Sequence, residues 1–410
     1  MPHTFSSTVD PTAEPLGGPR VMLYGHDSFG LGHLRRCLTL AAAIQARYPH
    51  ASTLIATGSP CATHFPLPDG VDVLKLPAVT KRGAAYQPLQ LRGPLGPVLD
   101  LRCATLRAAF DAFEPDLLLV DHTPVGLGGE LLPTLEAARR AGVPCVLGLR
   151  DIIDSPLHVA RDWSRPEIRR ALRELYEDIL VYGDPRVFDM REEYPVPPEL
   201  RSRVQHVGYV VRPHRASSPA ASREVPEVLV TTGGGGDGAD RIEAYLRSLV
   251  GREARWTSRI VTGPLADPQR SERIRELAAG LDRVEVAEFD PQLRSAIANA
   301  DAVVSMAGYN TCAELLDSDT PAVLLPRTRP RREQFIRAQR LRSLGLAECL
   351  VKSGMTEIPA AVEACLDQGR TTRMQLDLRG AERAAELLGA LMGEEDSGRV
   401  HSLGGHACNL

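Results

Sequence analysis

Along most of the chain, short apolar runs rich in β-branched residues alternate with stretches whose apolar residues recur at helical spacing, and the alternation occurs twice. The first series of runs is VMLY, STLIAT, VDVLKL, DLLLVD, PCVLGL, DILVYG and VQHVGYVV; the second is EVLVTTG, SRIVTG, VEVAEF, DAVVSMAG and PAVLLP. These runs are continuous rather than alternating, as expected of parallel strands covered by helices on both faces. Between them, LRRCLTLAAAIQARY, GELLPTLEAARRAG and REQFIRAQRLRSLG carry the helical period. The pattern predicts an α/β chain with two doubly wound, Rossmann-like domains.

A length of 410 residues also favours two domains over one core. The stretch RPHRASSPAASREVPE, residues 212–227, separates the two strand series and is poor in large apolar residues. The predicted organisation is a disordered N-terminus at 1–19, a first domain at 20–212, a linker at 213–226 and a second domain at 227–370. A C-terminal helix at 371–392 would pack back across the domains, followed by a disordered tail at 393–410. Residues 77–97, PAVTKRGAAYQPLQLRGPLGP, read as a long basic loop, either a substrate-facing flap or a solvated excursion.

Composition excludes several classes. A net charge of −4 gives no global argument for nucleic acid or an anionic membrane, and 43% hydrophobic with 24% charged residues is ordinary for a globular protein. No signal-peptide core and no apolar run of spanning length occurs, so the expected location is cytoplasmic; peripheral membrane contact is not indicated. The eight cysteines are scattered without zinc-ligand spacing, so no metal is expected. The DxD string Asp317–Asp319 falls between a helix and the next strand, on the edge away from a ligand cleft, and reads as a turn.

Three segments point to chemistry. In GHDSFGLGHLRRCLTLAAAI, residues 25–44, Gly30 and Gly32 lie between a strand and a helix, with His33 in the first helical turn. The spacing lacks a full GxGxxG, which argues against a dinucleotide site. A helix N-terminus favours neutral imidazole, so His33 suits a general base; capping or packing is the plainer reading. In VLVTTGGGGDGADRIEAYL, Gly233, Gly234, Gly235 and Gly236 offer a loop of exposed N–H groups suited to a diphosphate, with no P-loop GK[ST]. In DAVVSMAGYNTCAELLDSDTPAVLLPRTRPRREQF, one strand end presents Glu314 just inside a helix, and the next presents Glu333 and Gln334. Such acceptors match the vicinal hydroxyls of a ribose or hexose, or are solvated helix charges.

The combination of GYNTCAELL, DTPAVLLPRTRPRREQ, FGLGH and TTGGGG closely resembles MurG-type glycosyltransferases with the GT-B fold, two Rossmann-like domains facing a central cleft. The resemblance implies that Glu314 holds the ribose of a nucleotide sugar, while Thr311 and the backbone of Gly308, Tyr309 and Asn310 meet the diphosphate. It further implies Glu333 and Gln334 on the donor sugar, Phe289 and Leu293 beside the base, and Gly234 to Gly236 opposite the phosphates. Arg212 would stabilise the leaving diphosphate. His33 takes the place of the histidine in the family's first Gly-rich loop. Where the family has GGTGGH and QQ, this chain has SFGLGH and EQ, which leaves the sugar and acceptor open.

GLGHLRRCLTLA also looks like the opening of PseG-type nucleotide-sugar hydrolases, in which a histidine activates water. The transferase reading is a metal-independent transfer from a nucleoside-diphosphate sugar, by family default a UDP-sugar, to a hydroxyl or amine, with no other cofactor. Asp121 and His122 in LLLVDHTP, and Arg150 and Asp151 in LGLRD, end strands on the cleft side and would orient His33 or bind acceptor. Their plainer roles are caps and ion pairs. A sugar-nucleotide-binding protein without turnover would keep Glu314 and the glycines but need no base.

Overall fold

The computed structural model describes residues 17–26, 32–62, 65–82, 85–212, 223–351, 356–370 and 374–393. Gly30, most of the expected linker and almost all of both expected disordered ends fall outside them.

The first sheet contains β1 (Arg20–Gly25), β2 (Ser52–Thr57) and β3 (Val71–Lys75). After a separate hairpin, β4 (Val79–Arg82) with β5 (Ala85–Pro88), it continues with β6 (Leu117–Asp121), β7 (Cys145–Arg150), β8 (Asp178–Tyr182) and β9 (Val204–His206). Its order is β3-β2-β1-β6-β7-β8-β9, and every pair is parallel. The second sheet contains β10 (Glu227–Thr231), β11 (Thr257–Val261), β12 (Val284–Ala287), β13 (Ala302–Ser305), β14 (Ala322–Leu324) and β15 (Glu348–Cys349). Its order is β12-β11-β10-β13-β14-β15, again parallel. The central strands are apolar and buried end to end, as in LLLVD of β6 and AVVS of β13.

In each sheet the order reverses beside the first strand, between β1 and β6 and between β10 and β13. The loops leaving such neighbouring strands diverge to opposite faces and open a crevice at the carboxyl edge. That edge carries His26 and Asp121 in one domain and the Gly233–Gly236 run with Gly308 in the other.

The halves share a core. One hydrophobic cluster joins Leu40 and Ile44 of the helix Gly32–Arg47, Val303 of β13, and Ala384 and Leu388 of the helix Gly380–Leu391. Burying each leucine or isoleucine side chain contributes about 1.5–3 kcal/mol. Gly389 permits the last helix to approach the first domain, because a Cβ there would lie 1.5 Å from the Tyr48 hydroxyl.

Three local expectations are corrected. The basic segment after residue 77 contains an antiparallel hairpin rather than a plain loop, its pairing running from Val79↔Pro88 to Arg82↔Ala85. VQHVGYVV forms a strand only over Val204–His206, with Val210 bridging Arg379 further on. The last helix starts at Gly380, because the preceding non-helical segment is tied to the first domain, where the Tyr209 N–H donates to the Asp377 carbonyl (2.7 Å) and the Asp377 N–H to Asp184 Oδ2 (2.9 Å).

Candidate active site

β1 and β6 are in register at their ends, Gly25 opposite Asp121. His33 enters from the first turn of the helix Gly32–Arg47, and its Nδ1 lies 3.0 Å from Asp121 Oδ2. Arg36, three residues on and so on the same helix face, grips both Asp121 oxygens through Nε (3.1 Å) and Nη2 (2.9 and 2.7 Å). Arg36 Nη2 also lies 3.0 Å from His33 Nδ1. One nitrogen cannot both donate to Asp121 and accept from Arg36. Asp121 is ionised and acceptor-only, so two facing lone pairs would repel; Nδ1 therefore carries the proton and donates to Asp121, leaving Nε2 as an open lone pair.

Burial alone would raise the Asp121 carboxyl, but Arg36 and His33 outweigh it and hold it below its ordinary value. Burial pulls His33 down to about 4, opposed by Asp121 and reinforced by Arg36 and Arg150. The imidazole is neutral at physiological pH, as a base must be.

Two further histidines flank His33. The His122 ring centre is 5.3 Å away and that of His26 6.2 Å. His122 holds a left-handed φ of 93°, a conformation costing a non-glycine residue about 1–3 kcal/mol that clusters at functional sites. Its Nε2 accepts from Arg150 Nη2 (3.0 Å), so its proton sits on Nδ1, which is buried without a partner. The β4–β5 hairpin closes this wall, with Tyr86 6.5 Å from the His26 ring. Behind it, buried Arg102 holds Glu130 (2.6 Å) and the Pro77 carbonyl (2.7 Å), fixing the hairpin's base; Glu130 also accepts from Tyr24 (2.6 Å).

Across the cleft, the helix Tyr309–Ser318 points its N-terminus at this wall, and Asn310 Nδ2 donates to the Gly32 carbonyl (3.2 Å). Gly233 faces Thr311, with Oγ1 3.6 Å from where a Cβ would stand. The glycine run is also structural: at Gly235, with φ of 81°, a Cβ would fall 2.4 Å from the Thr262 carbonyl oxygen. Phe289 is exposed, while Leu293 packs on the shared core. Glu333 is buried, with Oε1 accepting from Arg327 (2.5 Å) and Oε2 unpartnered. Burial would raise its carboxyl, but Arg327 and Arg150 keep it low.

Several expected site residues are engaged elsewhere. Glu314 is paired with Arg35 of the facing domain, so a ribose would have to displace that guanidinium. Gln334 accepts from the Arg327 N–H through Oε1 (3.2 Å). Asp151 does not face an acceptor: it is fully buried and paired with fully buried Arg337 through Nε (2.8 Å) and Nη2 (2.6 Å), with Tyr209 donating to it (3.2 Å). The Tyr309 side chain sits at the domain junction, its oxygen accepting from the Val210 N–H (2.9 Å), with Arg36 and Arg337 5.2 and 5.8 Å from its ring. Arg212 is exposed and unpaired among the described residues. Asp319 ends the helix with a left-handed φ of 53° and Asp317 pairs with Arg294 (2.6 Å), as a turn requires.

Sequence reasoning gave no role in the site to His26, Arg35, Tyr86, Arg327 or Arg337. Arg35 and Arg36 could have been noticed from their places in the same helical turn as His33. Nothing in REQFIRAQRLRS marks Arg337 as the member that turns inward.

Two doubly wound parallel domains that share a core, the carboxyl edge of one facing a helix N-terminus of the other, make a GT-B fold. Residues 228–388 match the glycosyltransferase family 28 C-terminal domain, and the chain is similar to MurG-type glycosyltransferases. A UDP-N-acetylglucosamine–N-acetylmuramyl-(pentapeptide) pyrophosphoryl-undecaprenol N-acetylglucosamine transferase from Glaesserella parasuis serovar 5 (strain SH0165) is 24% identical over 343 residues, covering 77% of this chain and 88% of that protein. The enzyme of the same name from Halorhodospira halophila (strain DSM 244 / SL1) is 32% identical over 224 residues, 51% of this chain and 60% of that one. Among solved structures, Acinetobacter baumannii MurG has a TM-score of 0.55 at 12% identity over 91% of this chain and 99% of its own. The calicheamicin glycosyltransferase CalG4 has 0.59 at 18% identity over 92% and 99%. These comparisons support transfer and give no support to the hydrolase alternative. Among the described residues, no helix is long and apolar enough to cross a membrane.

Proposed function

We propose that the protein transfers a sugar from a UDP-linked nucleotide sugar to a hydroxyl or amine acceptor, with His33 as the base and no metal step. The observation that carries this reading is the His33–Asp121 pair, whose open Nε2 stands on the wall facing the helix Tyr309–Ser318. In the proposed step, Nε2 takes the proton of the acceptor as its oxygen or nitrogen attacks the anomeric carbon. The bond from that carbon to the diphosphate oxygen breaks, and the nucleoside diphosphate leaves with the electron pair.

Its charge meets the helix N-terminus at Gly308–Thr311 and the N–H groups of Gly233–Gly236. Glu314 would take the ribose hydroxyls after exchanging Arg35, and the unpartnered Glu333 Oε2 would accept from a sugar hydroxyl. A UDP donor is supported by the names of the two curated relatives, both UDP-N-acetylglucosamine transferases. The cytoplasmic setting expected from the sequence belongs to the same proposal.

A thermal-shift and calorimetric screen of nucleoside diphosphates and nucleotide sugars tests the donor half. Uridine compounds should stabilise the protein, and Glu314→Gln should weaken them; preference for another base, or indifference to Glu314→Gln, would overturn the donor assignment.

A further inference from the structure

Two aromatic rings lie against the Arg36 guanidinium. The centre of the Tyr182 ring, on β8, is 5.7 Å from Arg36 Cζ, and the centre of the Tyr309 ring is 5.2 Å from it. Tyr182 belongs to the same domain as Arg36, whereas Tyr309 opens the helix Tyr309–Ser318 of the other. A guanidinium over an aromatic face is held by the ring, more strongly when water is excluded, and Arg36 is buried.

The guanidinium needs holding. Its Nη2 lies 3.0 Å from His33 Nδ1, and both nitrogens carry hydrogens directed at Asp121. Donors so close repel each other, and the arrangement lasts only while each keeps its own line to the carboxylate. A guanidinium free to turn would draw Asp121 with it and take the imidazole off its aim.

Tyr309 is itself fixed. Its oxygen accepts from the Val210 N–H (2.9 Å), the Tyr209 ring lies 5.8 Å away at a tilt of 31°, and Arg337 Cζ lies 5.8 Å from its centre. Its neighbour Asn310 donates to the carbonyl of Gly32, one residue before His33. Two consecutive residues of the second domain therefore grip the start of the helix that carries His33, at Gly32 and at Arg36.

We propose that Tyr309 is a positioning residue for the base: its ring holds Arg36 on Asp121, and Asp121 in turn aims the His33 imidazole. The inference rests on the reading of His33 as the base and adds to it a residue from the opposite domain. Under that reading the Tyr309 N–H belongs to the loop that receives the donor diphosphate, so its backbone and its side chain serve different steps. Losing the ring should slow turnover and leave donor binding nearly intact.

Among the described residues, the charged and titratable groups facing His33 are Asp121, Arg36, Arg150, His26 and His122. Of these, only Arg36 lies against the Tyr309 ring. Asp121 raises the His33 imidazole and Arg36 lowers it, so a guanidinium that slips from its place should let the imidazole rise above about 4.

Histidine NMR titration of the full chain, with the His33 signal assigned by its absence in His33→Ala, reads that rise without any ligand. In Tyr309→Leu the imidazole should titrate well above its value in the unaltered protein. In Tyr309→Phe, which keeps the ring and loses only the acceptor for Val210, it should titrate near that value. Arg36→Met should raise it most, and Tyr309→Leu added to Arg36→Met should change nothing further. Should Tyr309→Leu not fold, Tyr309→Met carries the same expectations. In UDP release from UDP-N-acetylglucosamine, Tyr309→Leu should lower kcat about tenfold, part of the roughly 10²–10⁴-fold that a base supplies, with KM little changed.

An unmoved His33 titration in Tyr309→Leu, equal effects of the leucine and phenylalanine variants, or an effect that persists in full beside Arg36→Met would overturn the assignment. A raised KM at unchanged kcat would confine Tyr309 to the donor loop and overturn it as well. UDP release unaffected by His33→Ala would defeat the base reading but not the contact, which the titrations decide on their own.

Discussion

Replacing Asp121 with asparagine separates two jobs that one carboxylate performs. Asp121 accepts three contacts from Arg36 and one from His33 Nδ1, and it is 1% exposed. The amide would keep the shape of the carboxylate and lose its charge, leaving Arg36, itself 2% exposed, as a buried cation without its partner. Breaking one side of such a pair costs about 3–5 kcal/mol, within the 5–15 kcal/mol stability typical of a folded protein, so the variant should fold.

The catalytic loss is separate. His33 would lose the group that fixes its tautomer and aims Nε2, and general-base assistance is worth about 10²–10⁴-fold. The assay is UDP release in the unaltered protein, Asp121→Asn, His33→Ala and the double variant, alongside urea unfolding of all four. Asp121 acts through His33, so Asp121→Asn should slow the unaltered protein strongly and add almost nothing in the His33→Ala background. Its cost in stability should be nearly the same in both backgrounds. A multiplicative loss of rate in the double variant would refute the reasoning, since Asp121 would then serve catalysis by another route.

Arg337→Met should lower unfolding stability by about 3–5 kcal/mol by stranding Asp151, and Asp151→Leu added to it should restore much of the loss; equal instability of single and double variants would count against the interdomain pair. Arg35→Met should tighten UDP binding by up to about fivefold by freeing Glu314, as befits a partly exposed pair; weaker binding in calorimetry would mean that Arg35 itself holds nucleotide. Gly235→Ala should cost about 1–2 kcal/mol from its left-handed backbone alone, besides the contact with Thr262, and should loosen nucleotide binding; an unchanged melting temperature would contradict it. Because His33 stays neutral to about 4 in the folded state but takes a proton near 6.5 when unfolded, the unfolded chain binds more protons and stability declines as pH drops through that window. His33 contributes about 3 kcal/mol of that fall, so His33→Ala should flatten the decline in urea titrations from pH 7 to 4, and an equally steep decline would refute the buried neutral state.

The fold was legible because buried parallel strands leave continuous apolar runs, and the glycine loops stood where strand order reverses. The positions of His33 and Asp121 at those strand ends followed from the same pattern. Their pairing did not, since a contact between residues so far apart in sequence has no local signature. The hairpin was missed because TKRGAAYQP carries charges and a proline that read as loop until Tyr86 and Val79 find a small core with Val98 and Leu127. For Asp151 an acceptor-side role and an ion pair stayed equally open, because a strand-end aspartate looks the same whether it faces a ligand or a buried arginine from another domain. Only the three-dimensional position of Arg337 distinguishes the two.

Transfer by a His33 base requires that the sugar reach an acceptor and that His33 send it there. Unaltered protein and His33→Ala should be given a UDP-sugar labelled in the sugar, in a cell extract containing acceptors, with UDP release and labelled products followed together. The predicted result is one UDP released for each label appearing in a glycoside, and a large loss of both in His33→Ala with UDP binding preserved. Label recovered only as free sugar, or UDP release unaffected by the loss of His33, would contradict it.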